Sequence, residues 1–154
     1  MTCSNLNLPK LRHQLEQDEG IIHEIYLCPT GHPTFGVGHL ITEDDPEHWM
    51  EVGTPVSDER VQQAFNSDIN IAMSECTALY GEDWFDFPGE VKSILINMMF
   101  NLGRTRLGKF KKMNAAIKAG DWEEAAKEGR DSLWYRQVTN RAERLMRRME
   151  LVDD

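Results

Sequence analysis

The chain has 154 residues, 40% hydrophobic and 28% charged, with a formal net charge of −9. That length builds one ordinary domain with a core of its own. No apolar run approaches the roughly 20 residues of a membrane-spanning helix, and no low-complexity segment or internal repeat is present.

The charge is segregated. Residues 1–103 carry 4 Lys+Arg against 17 Asp+Glu, whereas residues 104–148 carry 13 against 6. A basic C-terminal surface steers anionic polymers, and the same counts also describe solvated helix faces; both readings stand at this point. Met1 to Gln17 is polar and lacks a signal-peptide core, so unaided export is not expected. Cys3, Cys28 and Cys76 show no metal or disulfide spacing and are expected as free thiols, with a Cys3–Cys28 disulfide as the alternative.

In chain order, Leu8, Leu11 and Leu15 recur at helical spacing behind Asn7 as N-cap and Pro9 in the first turn. This predicts a helix over 8–18 that stops at Gly20 and delivers Glu19 at its end. Acids at the negative end of a helix dipole are disfavoured, so the Glu19 pKa is expected to tend upward, as a proton donor needs. From Ile21 to Thr42, β-branched and aromatic residues alternate with polar ones between Pro29, Gly31, Pro33, Gly36 and Gly38, predicting a small, sharply turned antiparallel sheet. The acidic stretch 43–54 reads as a loop holding a short helix.

Ser57 caps a long helix whose stripe Val61, Phe65, Ile69, Ala72, Cys76 and Leu79 is buried. Gly81 to Pro88 is predicted as a linker. Val91 to Phe100 is apolar almost all round, a central helix stopped by Gly103. Further helices are expected around Phe110–Ile117, from an Asp121 cap through Ala126, and from Thr139 to about Met149, with Trp134 and Tyr135 before the last.

Glu19, Cys28 and Thr34 are separated by eight and then five residues. This spacing resembles the catalytic signature of the phage-type lysozymes (glycoside hydrolase family 24), where the middle position is an aspartate or, in some members, a cysteine. The resemblance continues through Asp18-Glu19-Gly20, the run Thr34 to Leu40, the run Leu95 to Phe100, Trp134-Tyr135 and Asn140-Arg141-Ala142. It spans nearly the whole chain in order. It implies an α+β, mostly helical lysozyme-like fold in a single domain over 1–154. The small β lobe is expected at about 19–56, a linking helix at about 57–80, and a helical lobe at about 81–154 together with the helix 8–18.

The same resemblance implies an endo-acting muramidase. Glu19 is then the acid, and Cys28 with Thr34 holds and activates a water on the opposite sugar face, giving inversion. A free thiol is only a few per cent ionised at neutral pH without help, while a thiolate attacking the sugar directly gives retention. Leu40 and Phe100 match saccharide-cleft positions, as do Met113 and Glu128, where the residue types depart from those of the T-even enzyme. Asn101 and Gln137 are candidates to hydrogen-bond the glycan or its peptide stem. Arg141 matches an arginine that contacts the acid pair Asp18 and Glu19, which pulls the Glu19 pKa down against the dipole. Asp68 matches a partner of His39, read as a structural clasp.

No cofactor is expected, and the five histidines show no zinc-ligand spacing. The expected partner is bacterial peptidoglycan, acted on by a monomer with no nucleic acid and no membrane insertion. An endolysin is expected in the host cytoplasm, reaching the wall through a separate membrane lesion. Residues 119–123 and 129–135 look like tail-associated versions, which places the enzyme in the phage tail particle instead. A catalytically degenerate glycan- or protein-binding module and a lytic transglycosylase are the competing functions.

Overall fold

The computed structural model describes residues 6–153. The architecture is the expected one, mostly helical with a small N-terminal β-sheet lobe and a helical C-terminal lobe. The chain divides into two compact units, Arg12–Ile71 and Met1–Leu11 with Ala72–Asp154. Both boundaries fall inside helices, α1 (Leu8–Glu19) and α2 (Asp58–Tyr80).

The smaller unit holds the end of α1, the strands β1 (Ile22–Leu27), β2 (Pro33–Gly36) and β3 (His39–Leu40), a 3-10 turn at Pro46–Trp49 and the first part of α2. The expected Asn7 cap is present, its Oδ1 accepting the Lys10 N–H at 3.1 Å, and Gly20 closes α1 at φ +79°. The strands pair antiparallel in the order β1-β2-β3. Tyr26 lies opposite Thr34, and Thr34 opposite Leu40, so these three residues share a face. An irregularity between Ile22 and Tyr26 bends β1. Leu15, Ile25, Phe35, Val61 and Phe65 are fully buried beneath this frame.

The larger unit is built on α4 (Gly89–Gly108), with α3 (Asp83–Asp86), α5 (Lys111–Lys118), α6 (Trp122–Arg130), α7 (Leu133–Gln137) and α8 (Thr139–Glu150). Ile94, Leu95, Ile96 and Met98 have no exposed surface. Gly103 breaks the helical path, as expected, with φ 79° and ψ 164°, but the chain resumes helix to Gly108. Ser57 and Asp121 cap α2 and α6, accepting the N–H groups of Arg60 and Glu124 at 3.1 Å each.

One expected linker and one segment without an assigned element are helical. The linker at 81–88 contains α3, which buries Trp84 against Tyr80 and Phe87. The Trp134-Tyr135 segment forms α7, capped by Ser132, whose Oγ accepts the Tyr135 N–H at 3.1 Å. Both are one turn or little more, too short for periodicity to announce. Among the described residues, no helix is long and apolar enough to cross a membrane.

Candidate functional site

Glu19 ends α1, whose second half is tied to α2 inside the smaller unit. The Arg12 guanidinium lies over the Phe65 ring at 4.5 Å, donates to Gln62 Oε1 at 2.7 Å and bonds Asn66 Oδ1. The glycine at 38 follows from the carboxyl beside it. Its φ is +62°, and a Cβ there would stand 2.6 Å from Glu19 Oε1. Only glycine leaves that carboxylate its room.

Cys28 lies one residue beyond β1, in a turn closed by Cys28 N–H to His32 carbonyl at 3.0 Å and Gly31 N–H to Cys28 carbonyl at 2.7 Å. The Thr30 hydroxyl is 3.1 Å from its sulfur. That hydrogen bond, together with the backbone at His32 and Thr30 and the Thr34 hydroxyl, outweighs partial burial and lowers the thiol pKa from 9.0 to about 7. The bare-thiol expectation of a few per cent ionisation therefore does not apply here. Thr34 is 1% exposed, and its hydroxyl donates to the His32 carbonyl at 2.8 Å. Burial, then the negative charges of Glu19 and Cys28, raise the Tyr26 pKa. Glu19 and Cys28 thus both act on one tyrosine, and Thr34 is the cross-strand neighbour of that same residue.

The His39–Asp68 pair expected from the sequence is present, Nδ1 to Oδ2 at 2.7 Å, but it is part of a larger array. His39 Nε2 is also 2.8 Å from Asp45 Oδ2. Asp45 Oδ1 accepts from Arg60 Nη2 at 3.1 Å, and Arg60 Nε reaches Glu47 Oε2 at 2.7 Å. Both ring nitrogens can donate only when the imidazole is doubly protonated. Burial opposes that charge, yet the hydrogen bonds and charges of Asp68 and Asp45 prevail and raise the His39 pKa. Asp45, Glu47 and Arg60 escaped the sequence reading; a run of acids in a loop does not say which one turns inward.

The remaining expected residues divide between the units. Asp18 and Leu40 lie with Glu19 in the smaller one, Leu40 being half exposed. Phe100, Asn101, Gln137 and Arg141 belong to the larger one. There Asn101 Oδ1 accepts from Trp134 Nε1 at 2.9 Å, and Gln137 Oε1 from Arg106 Nη2 at 3.4 Å. Arg141 donates to the Asn97 side chain at 2.9 Å and to its carbonyl at 3.3 Å. Cys28 and Cys76 are free thiols, Cys76 fully buried, and Cys3 lies outside the described residues. Among the described residues, no group of three or more His, Cys, Asp or Glu side chains is arranged to hold a metal ion.

The phage lysozyme family model matches residues 16–150. The chain is 33% identical to the pre-baseplate central spike protein Gp5 of Enterobacteria phage T4, a match covering 94% of this chain and 28% of that protein. It is 29% identical to the probable T4-type lysozyme 2 of Dictyostelium discoideum, over 88% of this chain and 91% of that one. It is also 29% identical to the peptidoglycan hydrolase gp36 of Pseudomonas phage phiKMV, over 90% of this chain but 15% of that protein.

Proposed function

Since the chain belongs to the phage lysozyme family, we propose that it is an endolysin-type muramidase. It cuts the β-1,4 bond between N-acetylmuramic acid and N-acetylglucosamine in bacterial peptidoglycan. The observation that supports this reading is that Glu19, Cys28 and Thr34 lie in one compact unit, with Thr34 opposite Tyr26 in the sheet and the Cys28 sulfur in reach of the Thr34 hydroxyl.

Cleaving a glycosidic bond requires a proton for the leaving oxygen and stabilisation of an oxocarbenium-like transition state. Glu19 supplies the proton. Cys28, its thiol pKa lowered to about 7 with the Thr30 hydroxyl as the largest cause, supplies as thiolate the negative charge that an aspartate would otherwise provide. Thr34 places its hydroxyl beside both the His32 carbonyl and the Cys28 sulfur, and its lone pairs accept from a water. Cys28 and Thr34 together hold that water on the sugar face opposite Glu19, which gives inversion. Within the smaller unit Leu40, and within the larger unit Phe100, Asn101 and Gln137, are the residues proposed to bind glycan. The protein acts as a monomer, accumulates in the host cytoplasm and reaches the wall through a separate membrane lesion.

A second reading is favoured by the likeness to the T4 spike protein. In it the chain is a wall-cutting module of the phage tail. Fractionating purified particles from the lysate decides between the two, since only the tail module stays with the particle.

The deciding experiment digests purified peptidoglycan with the wild type and with Glu19→Gln, and reads the soluble products by mass spectrometry. Muropeptides with reducing N-acetylmuramic acid ends are expected, with release slowed about 10²–10⁴-fold in the variant. Anhydro ends make the enzyme a lytic transglycosylase. No release from wild type at any pH or salt concentration leaves a binding module.

A further inference from the structure

We infer that His32 is a positioning residue of the reaction: its backbone gathers Cys28 and Thr34, and its ring fastens that pair to the buried Ile41. The inference rests on the muramidase reading above and names what holds the two water-activating residues in register with each other.

Residues 29–33, Pro-Thr-Gly-His-Pro, are all exposed, so apolar burial does not fix this turn. Pro33 opens β2 and has no N–H, which removes a ladder donor at the corner where β1 gives way to β2. Hydrogen bonds have to supply the order, and those of His32 converge on the two residues that matter. Its carbonyl accepts the Cys28 N–H at 3.0 Å and the Thr34 hydroxyl at 2.8 Å. Its own N–H is among the groups that favour the Cys28 thiolate. One residue therefore touches the backbone and sulfur of Cys28 and the side chain of Thr34, and displacing it moves both.

The ring decides where that backbone sits. His32 Nε2 is 2.9 Å from the Ile41 carbonyl, and the Ile41 N–H donates to the Pro33 carbonyl at 3.0 Å. A carbonyl only accepts, so Nε2 carries a hydrogen. Ile41 is 5% exposed and directly follows β3, where Leu40 pairs with Thr34. The exposed turn is thus tied across the strand pair that carries Thr34 to a residue set in the core. Losing the ring's bond should cost little global stability, because the turn contributes so little buried surface, while loosening the geometry that water activation needs.

The test compares His32→Leu, which has no donor, with His32→Gln, whose side-chain amide stands in for Nε2–H. Against purified peptidoglycan, His32→Leu should lose about tenfold in kcat with KM held within about twofold, and His32→Gln should recover most of that loss. Urea unfolding of all three proteins checks the fold. The midpoint of Cys28 alkylation by iodoacetamide should move upward by about half a pH unit in His32→Leu and return in His32→Gln. Imidazole ¹⁵N spectra of the wild type need no variant and should find the hydrogen of the neutral ring on Nε2. The inference is overturned by a His32→Leu enzyme that matches wild type in kcat, by a loss that His32→Gln does not repair, by an unmoved Cys28 midpoint, or by a neutral ring with its hydrogen on Nδ1. Failure of the muramidase reading is a different result: the wild type itself then releases nothing from the wall.

Discussion

The two units solve the folding problem with different materials. In the helical unit, Ile94, Leu95, Ile96, Met98, Leu107 and Met146 fill a dry interior. Its ion pairs, Arg148 with Glu90 and Arg130 with Glu143 and Glu150, keep part of their surface in water. The helical unit also buries Lys92, at 5% exposure against the Phe85 carbonyl. The sheet unit has a smaller core and runs a connected charge array inward, through His39 at 9% and Glu47 at 6% exposure. Burial of apolar area is non-directional and tolerant of small shifts. A hydrogen-bonded charge array fixes positions and is sensitive to pH and to single atoms. The unit with the candidate chemistry is the one held by the directional array.

The contrast between the units can be broken most strongly on its apolar side. Leu95→Ala opens a cavity in the helical core and is expected to destabilise the protein by about 3 kcal/mol, read from urea unfolding. On the other side, one methyl group should suffice to disable the site. Gly38→Ala places a Cβ against the Glu19 carboxyl and requires a left-handed backbone from alanine. Peptidoglycan hydrolysis is expected to fall about hundredfold, with a smaller loss of stability than Leu95→Ala causes.

The charge array should answer to pH where the apolar core does not. Asp68→Asn is expected to cost about 1 kcal/mol, the value of a charge-assisted hydrogen bond discounted for solvent screening. His39 has its pKa raised in the fold, so its stabilisation is complete below the ordinary value of 6.5 and is lost as pH rises through the raised value. Asp45 and Glu47 are held below their ordinary values, so their share is lost as pH falls through those lowered values. The difference between wild type and Asp68→Asn should therefore peak in mildly acidic solution and shrink in alkali, where a neutral imidazole keeps only its hydrogen bond. Thermal melts across pH check this. A constant difference would show that the histidine carries no charge in the fold.

The smallest effect concerns the two free thiols. Alkylation of Cys28 by iodoacetamide should rise with a midpoint near pH 7. Burial, with the Glu75 charge, pushes Cys76 far above that range, and it should stay unmodified in the native protein. Thr30→Val should move the Cys28 midpoint upward, since the Thr30 hydroxyl is the largest contributor to its lowering. Mass spectrometry of the labelled peptides gives both midpoints.

Most of this architecture was legible in local pattern. Apolar spacing marked α1 and α2 nearly to the residue, and Asn7, Ser57 and Asp121 were readable as caps because capping is a contact over three residues. The spacing of Glu19, Cys28 and Thr34 named the candidates in the same way, as a pattern along the chain. Tertiary structure alone decided that the Thr30 hydroxyl meets the Cys28 sulfur and that Asp45, rather than Asp44, closes on His39. It also brought the start of α5 and Trp134 around one cavity. Periodicity and capping depend on neighbours a few residues away, and the sequence states those neighbours outright. A thiol's pKa, the inward turn of one acid among several and the walls of a cavity depend on atoms brought together by folding, and no local pattern encodes which atoms those will be.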